Sequence, residues 1–191
     1  TFAVSCGDDD LEWFRQPPLA HAPPEWYCAA GVVPHLTPKA NDPNADYPAA
    51  CLGLGATIIT NKRRIAADDF FTGMFSTALE EGEIIVKVSF PIAKKAAYEK
   101  FKHPASGFAL VGVFVSKRGP DIRVAVTGAG SNGVFRVKSF EEALKKRFAA
   151  KSIEGMTIPA TGMNADIHAS PEYRAHLVAV LARRALAKAN A

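Results

Sequence analysis

The chain has 191 residues, of which 48% are hydrophobic and 22% are charged, and its formal net charge is +4 at pH 7. This length suits one large domain or two small ones, and the composition is that of a soluble globular protein that can bury a core. Basic residues cluster at 62–64 and 145–147. No stacking aromatics interleave with them, which argues against a nucleic-acid-binding protein.

Cysteine usage and hydropathy exclude further classes. Cys6, Cys28 and Cys51 are widely spaced without a Cys-x-x-Cys pair, so we expect neither an iron–sulfur cluster nor a structural zinc ion on this chain. The pattern fits a reduced, cytoplasmic setting. No apolar run is long enough for a transmembrane helix, and no signal peptide is recognisable. The chain begins at Thr1 instead of Met, which suggests a fragment or a processed product.

Residues 1–38 follow no regular pattern. Six prolines fall within residues 17–38, which excludes a continuous helix or a central strand there. Both tryptophans also lie in this segment, at positions 13 and 26, so it is not a typical polar tail. We predict an irregular, loosely packed segment.

Residues 41–60 predict turns, a short helix and a strand. Pro48 suits the first turn of the helix and Asp46 lies near its N-cap, so from the residues alone Asp46 is foremost a capping acid. Cys51 lies in an apolar run and is expected to be buried. The residues from Ala56 to Thr60 favour a strand.

The stretch from Asp68 to Ile92 divides into two pieces. Phe70 to Leu79 gathers three phenylalanines and a methionine around Gly73, which favours an ordered, buried loop over a helix. Glu83 to Phe90 alternates in polarity and is closed by Pro91, which predicts a strand. That alternation places Ile85, Lys87 and Ser89 on one face and Val86, Val88 and Phe90 on the other.

The second half of the chain predicts further strands joined by turns. The expected elements are strands at 98–102 and 122–127, turns at 103–107 and 118–121, and a buried strand or helix-to-strand passage at 108–115. Gly128-Ala-Gly-Ser-Asn-Gly133 matches the G-x-G-x-x-G dinucleotide pattern. However, residues 134–138 resemble a strand instead of the required helix, and Asn132-Gly133 is a strong hairpin signal, so we favour a hairpin turn.

Two helices follow. Ser139 is expected to cap the first, with Glu142 completing a capping box. Ser170 is expected to cap the last helix, with Pro171 at its first position. The last helix carries an apolar stripe of Leu177, Val178, Leu181, Ala185 and Leu186.

No catalytic constellation emerges from the residues alone. The five histidines are scattered without zinc spacing, and no serine or cysteine stands in a nucleophile motif. This absence suits a protein whose chemistry belongs to a cofactor.

Four motifs carry a resemblance to a known family. They are Asn-Asp-Pro-Asn-Ala-Asp-Tyr-Pro from residue 41, Leu-Gly-Leu-Gly-Ala-Thr-Ile-Ile from residue 52, Tyr-Glu-Lys-Phe-Lys from residue 98 and Arg-Val-Ala-Val-Thr-Gly-Ala-Gly from residue 123. In order and spacing, roughly residues 39–191 resemble the FAD-carrying medium subunits of molybdenum hydroxylases, the group of carbon monoxide dehydrogenase and xanthine dehydrogenase. Residues 1–38 do not match.

The resemblance implies three cofactor-binding residues. Asp46 matches the acid of an Asp-Tyr-Pro or Asp-Trp-Pro motif at the flavin site. Leu79 matches a leucine that packs on the flavin region, and Lys102 matches a lysine near FAD. Their alternatives are a helix cap, core packing and a solvated strand lysine. The resemblance implies no catalytic or metal-binding residue on this chain.

One family feature is missing. Medium subunits hold the FAD pyrophosphate on two glycine-rich loops, the first of them in an N-terminal subdomain that has no counterpart here. The second stands just before the Asn-Asp-Pro run. Here that position reads Gly-Val-Val-Pro-His-Leu-Thr-Pro-Lys-Ala over residues 31–40, with two prolines and a single glycine. Proline has no backbone N–H to donate to a phosphate, so weak FAD binding is expected.

The predicted fold is α+β in two parts. Residues 39–92 form the second half of a flavin-binding domain, and residues 93–191 form a small antiparallel-sheet domain with helices on one face. The implied function is that of the FAD-binding subunit of an oxidoreductase, relaying electrons from iron–sulfur clusters through FAD to an acceptor. Its partners would be an iron–sulfur small subunit and a molybdenum-cofactor large subunit. The alternative is a non-enzymatic remnant that keeps subunit contacts but has lost FAD.

Overall fold

The structure, a computed structural model, describes residues 25–27, 45–104 and 106–191. It contains two four-stranded antiparallel sheets and four α-helices. Up to residue 92 the elements are β1 (Glu25–Tyr27), α1 (Asp46–Leu54), β2 (Thr57–Thr60), β3 (Arg64–Ala66), α2 (Ala67–Phe70), β4 (Phe71–Gly73), β5 (Ser76–Thr77) and β6 (Ile85–Pro91). The later elements are β7 (Lys95–Lys102), β8 (Ala109–Arg118), β9 (Asp121–Thr127), β10 (Phe135–Arg136), α3 (Lys138–Lys146), a 3₁₀ helix (Ala150–Ile153) and α4 (Pro171–Asn190).

The first sheet has the strand order β1-β6-β2-β3. Its edge strand β1 pairs with β6, opposing Trp26 to Phe90, so the prediction of an irregular segment is wrong for residues 25–27. A strand between Pro24 and later prolines is tolerated at this position because an edge strand needs hydrogen bonds on one side only. The rest of the predicted irregular segment lies outside the described residues.

A β-bulge in β6 changes the predicted alternation of that strand. The pairing with β2 shifts between Ile59, which opposes Lys87, and Thr60, which opposes Ile85. The extra residue, Val86, is 40% exposed, whereas Ile85 is 5% exposed and buried with Val88. The strand itself is confirmed, but its first residue faces the core because a bulge restarts the period of two.

The segment from Phe70 to Leu79 is ordered, but the prediction that it is buried is wrong. It forms a small hairpin of β4 and β5, with Phe71 opposite Thr77. Phe70 anchors it at 1% exposure, while Phe75 at the turn is 61% exposed and has a positive φ of 59°. The tip of a tight turn projects away from the core, so an aromatic residue at the tip has no neighbouring part of the protein to pack against.

The second sheet has the strand order β10-β9-β8-β7, and all its strands are antiparallel. The predicted strands and the turn at 118–121 are confirmed, since Arg118 pairs with Asp121 across a hairpin. The preferred interpretation of residues 128–133 is also confirmed. They connect β9 to β10, in which Phe135 opposes Val126, and Gly128 and Gly133 both have positive φ.

Helices cover both faces of the second sheet. On one face, α3 and α4 enclose the larger core, to which β8 contributes Val111, Val113 and Val115. On the other face, α1 packs against Phe114 and Ala125 and shares a second core with the first sheet. The sheet therefore separates two cores. The prediction that the helices of residues 93–191 lie on one face is confirmed by α3 and α4, and α1, from the earlier part of the chain, covers the opposite face.

One of the two predicted helix caps is confirmed. Ser170 precedes α4 and its hydroxyl accepts the backbone N–H of Tyr173, with Pro171 at the first helical position. The prediction of a capping box formed by Ser139 and Glu142 is wrong. Helix α3 begins at Lys138 with Val137 as its N-cap residue, and no side chain caps it. The predicted stripe of α4 is buried throughout.

The predicted α+β class is confirmed. In the part of the chain that the structure describes, no helix is both long enough and apolar enough to cross a bilayer.

Candidate functional site

Helix α1 lies at the seam between the two sheets, and polar side chains of the second sheet fix both of its ends. Thr127 donates its hydroxyl to the carbonyl of Ala45 at 2.9 Å, before the first turn. Ser116 donates to the carbonyl of Gly53 at 2.6 Å, in the last turn. Gly53 also permits close approach, because a Cβ there would lie 2.5 Å from Cδ1 of Phe114. The first turn of α1 is therefore held in a defined position over β9.

The carboxylate of Asp46 forms the centre of a polar cluster at this first turn. The Tyr98 hydroxyl donates to Oδ1 of Asp46, and the Lys100 ammonium lies 2.6 Å from Oδ2. Side-chain exposure is 28% for Asp46 and 12% for Lys100, so the pair lies at the margin of the protein and remains accessible from one side. Charge-assisted bonds of this kind fix the orientation of a carboxylate.

Tyr98 supports the cluster from beneath. Burial raises the pKa of its phenol well above the ordinary value, and the neighbouring Asp46 charge and hydrogen bond act in the same direction. The phenol therefore stays protonated and donates to Asp46. Gly112 makes room for the ring, because a Cβ there would lie 2.1 Å from the Tyr98 hydroxyl oxygen.

The structure places the three predicted cofactor-binding residues differently. Asp46 is in the cluster just described. Leu79 is half-buried and packs against the core that α1 shares with the first sheet. Lys102 is the last residue of β7, lies beyond a register irregularity after Phe101, and is exposed. The lysine that pairs with Asp46 is Lys100.

The residues alone did not single out Lys100 or Tyr98. The available signal was the alternation of Tyr-Glu-Lys-Phe-Lys, since residues two apart on a strand share a face and Tyr98 and Lys100 therefore project together. Which face would meet Asp46 depends on the packing of α1 against β8 and β9. That packing joins residues more than 50 positions apart in sequence.

A second carboxylate at the seam, that of Asp68, is paired with two arginines. Asp68 lies 2.6 Å from Arg123 and 2.8 Å from Arg136, and Arg136 also bonds Glu141. Partial burial opposes the ionisation of Asp68, but the hydrogen bonds from Arg136 and Arg123 outweigh it and lower the pKa of the carboxyl. Each charge here is paired with a protein charge, so this cluster connects α2, which carries Asp68, to the second sheet.

The glycine-rich turn at 128–133 is engaged within the protein. The backbone N–H of Ser131 donates to Gly162, and that of Gly133 donates to Gly130. A Cβ on Gly128 would lie 2.4 Å from the carbonyl oxygen of Ala109, so this glycine serves close packing of the loop on β8. These two backbone donors are therefore already used within the protein and do not cradle a dinucleotide phosphate.

The groups of the Asp46 cluster are better suited to binding a polar heterocycle by hydrogen bonds than to carrying out a covalent reaction. It combines an accessible carboxylate, which accepts N–H groups, with a cation that can approach carbonyl oxygens or a negative charge. A flavin ring presents both kinds of group along its pyrimidine edge. Among the described residues no group of three or more His, Cys, Asp or Glu side chains is placed to hold a metal ion.

Comparison with known proteins connects this part of the chain to flavoproteins. Residues 39–93 match the family described as the FAD binding domain in molybdopterin dehydrogenase. The chain is 26% identical over 159 residues to the carbon monoxide dehydrogenase medium chain of Hydrogenophaga pseudoflava, covering 75% of this chain and 55% of that protein. It is 31% identical over 166 residues to the nicotine 6-hydroxylase medium subunit of Paenarthrobacter nicotinovorans, covering 78% and 58%.

Solved structures agree. The fold matches that of a reconstituted CO dehydrogenase from Oligotropha carboxidovorans with a TM-score of 0.63 and 25% sequence identity, over 81% of this chain and 59% of that chain. The chain thus spans little more than half the length of the relatives it matches. The predicted resemblance to the medium subunits of molybdenum hydroxylases is confirmed over these residues.

Proposed function

Because this chain is similar to the FAD-binding medium subunits of molybdenum hydroxylases, we propose that it acts as such a subunit in an oxidoreductase. The observation that carries the proposal is the match of residues 39–93 to a FAD-binding family, since these residues include Asp46 and the helix that presents it. The division into a flavin-binding part at 39–92 and a second domain at 93–191 belongs to the same proposal.

In this proposal the flavin ring lies against the first turn of α1. Asp46 would accept an N–H group of the ring, Leu79 would pack on the flavin region, and Lys102 would provide a cation near the cofactor. Lys100 and Tyr98 would hold the Asp46 carboxylate in place. Bound FAD would supply the electron-carrying chemistry, taking electrons from iron–sulfur clusters on a small subunit and passing them to an acceptor.

The proposed partners are an iron–sulfur small subunit and a large subunit with the molybdenum cofactor. Exposed apolar side chains within residues 71–92 support a surface that a partner subunit covers, because Phe75 is 61% exposed and Ile84 is 60% exposed. The proteins that this chain resembles are named medium chain or medium subunit, which indicates that they belong to enzymes of several subunits.

Titration of the purified chain with FAD, followed by flavin fluorescence and visible absorbance, tests the proposal. We expect saturable binding that is weaker than low micromolar, because the prolines at positions 34 and 38 replace backbone donors at about 1.5–3 kcal/mol per lost bond to a charged group. Binding in the low micromolar range or tighter would mean that residues 1–38 form a phosphate loop not recognisable in the sequence.

Two lysine variants locate the cofactor within the same titration. Lys102→Ala is expected to weaken FAD binding by about 1.5–3 kcal/mol if this lysine contacts the cofactor. Lys100→Ala is expected to weaken it by releasing Asp46 from its pair. Lys151, an exposed residue of the 3₁₀ helix, is the matched control, and Lys151→Ala should leave binding unchanged. Equal FAD retention by Lys102→Ala and the native protein would remove Lys102 from the site.

The second candidate function is a remnant that keeps subunit contacts and no longer holds FAD. The sequence of residues 31–40 favours it, because the glycine-rich phosphate loop of the family is not recognisable there. In that case the purified chain shows no flavin absorbance and no saturable binding at millimolar FAD, while it still associates with a partner subunit.

A further inference from the structure

Two of the five histidines, far apart in sequence, lie side by side in the fold. Nε2 of His103 is 3.3 Å from Nδ1 of His168, the ring centroids are 4.3 Å apart, and the ring planes are inclined by 79°. His103 follows β7, and His168 lies in the loop before α4. Their spacing of 65 residues explains why the sequence showed no ligand pattern.

The backbone fixes both residues. The N–H of His103 donates to the carbonyl of Phe108, and the carbonyl of His103 accepts the N–H of Gly107, which closes the connection between β7 and β8. On the other side, the N–H of His168 donates to Oδ1 of Asp166 at 2.9 Å. Asp166 is in turn held by Arg174 at 2.6 Å.

Arg174 makes this second support rigid. Its side chain is 2% exposed, and its guanidinium donates to the carbonyls of Leu110 and Gly128 as well as to Asp166. The loop that presents His168 is therefore tied to β8 and to the end of β9. Little ordering would be needed on binding a ligand, which favours affinity.

The separation of the two nitrogens is close to that in a metal chelate. Two imidazole nitrogens bound to one tetrahedral Zn²⁺ at about 2.0–2.1 Å are separated by about 3.3–3.4 Å. Both ring planes point at the ion in such a chelate, which puts the ring centroids about 5 Å apart, so the two rings would turn outwards from their present centroid distance of 4.3 Å on binding an ion. Solvent reaches the pair, because His168 is exposed and His103 is half-exposed. Without metal, one ring can donate its N–H to the other. In a chelate both of these nitrogens are unprotonated, so the donating ring would carry its proton on its other nitrogen.

We propose that His103 and His168 form a two-imidazole site for a divalent transition-metal ion such as Zn²⁺. No group of three or more candidate ligands exists within the described ranges, so water or a side chain of another subunit would complete the coordination. A bound ion would cross-link the β7–β8 connection to the loop before α4. The metal proposal does not depend on the flavin proposal, although His103 directly follows Lys102 in the chain.

Calorimetric titration of the full chain with ZnCl₂ at pH 7.5 tests the site, with the variants His103→Asn and His168→Asn. We expect one Zn²⁺ per chain and a loss of affinity of about tenfold or more in either variant, since each removes one of two protein ligands. His176→Asn is the matched control, because His176 lies on α4 beside Glu172 and Arg183 in a different groove, and it should bind like the native protein.

Electron paramagnetic resonance of the Cu²⁺-loaded chain provides a second readout that separates this pair from the cysteines and histidines of residues 1–38. The native spectrum should show two nitrogen ligands, and each variant should show the loss of one. Melting temperatures without metal identify any variant that fails to fold. The proposal is overturned if native protein binds no stoichiometric metal, or if both variants bind Zn²⁺ as tightly as the native chain.

Discussion

The region built on the first sheet and the region built on the second sheet differ in how their cores are enclosed. The second region encloses its core between a sheet and two helices, with Phe140, Leu144 and Leu186 at 0% exposure. The core of the first region is completed by side chains of the second sheet, Tyr98, Phe114 and Ala125. Both regions also expose apolar side chains, among them Phe75 at 61% in the first and Ile167 at 96% in the second. The first region therefore depends on the second sheet for its core, whereas the second fills its larger core with its own residues.

The two regions also differ in what their polar contacts do. The buried Arg174 of the second region binds two carbonyls and Asp166 and serves the internal structure. The Asp46 cluster lies where the first region meets the second sheet, and it remains open to solvent on one side. Function is expected at this seam, since binding residues are commonly presented by mobile or exposed segments on a rigid scaffold.

The largest effect should come from the core of the second region. Phe140→Ala is expected to lower the free energy of unfolding by about 3–5 kcal/mol, because it leaves a cavity in a fully buried site. Urea denaturation measures this change. Phe75→Ala is the matched control in the first region and should change stability by less than about 0.5 kcal/mol. Similar losses in both variants would contradict the contrast between the regions.

An overpacking substitution at the seam should lower the stability by less than the loss of Phe140. Gly53→Ala places a Cβ against the buried ring of Phe114 and is expected to cost about 1–2 kcal/mol net, since overpacking outweighs the gain of about 1 kcal/mol in helix propensity. Gly73→Ala is the control, because a Cβ at Gly73 would meet its nearest neighbour, Ser76, at an ordinary 3.7 Å. A stabilised Gly53→Ala protein would show that α1 is not firmly seated on β8.

The smallest effect should come from the ionic contact across the seam. Asp68→Asn is expected to lower stability at pH 7 by about 0.5–1 kcal/mol, because the side chain is 35% exposed and water screens its pairs with Arg123 and Arg136. Asp69→Asn, at the exposed neighbouring position, is the control.

The pH dependence of the Asp68 effect has a definite sign. The pKa of Asp68 is lowered in the folded protein, so its contribution is present above the ordinary value of about 3.9 and is lost as the pH falls through the folded value. The stability difference between native protein and Asp68→Asn should therefore shrink below about pH 4. A difference that grows in acid would show that the arginines do not stabilise the ionised carboxyl.

The sequence correctly predicted the elements that depend on a few neighbouring residues. Ser170-Pro171 marked the start of α4, and Asn132-Gly133 marked a hairpin, because caps and turns depend on the few residues that form them. The predicted capping box at Ser139 failed for a tertiary reason. The acid that the structure uses there is Glu141, which accepts the N–H of Val124 and pairs with Arg136 on the sheet.

The features that escaped prediction all depend on distant partners. The bulge at Val86 is a mismatch between β6 and β2, and the exposure of Phe75 reflects where its hairpin stands relative to the core. Lys100 could be recognised as the partner of Asp46 only after α1 had been placed on the second sheet. At the candidate site, the sequence and the family resemblance identified Asp46, but not the two side chains that hold it.

The anchoring of α1 also has a consequence for folding kinetics. Ser116 and Gly53 are 63 residues apart, and Thr127 and Ala45 are 82 residues apart. Such contacts form only after long loops close, and a high contact order slows folding. The hairpins of β7, β8 and β9 join neighbouring segments and should nucleate first, so α1 should dock late, onto a sheet that already exists. The turn that carries Asp46 would then be among the last parts of the chain to reach its native place.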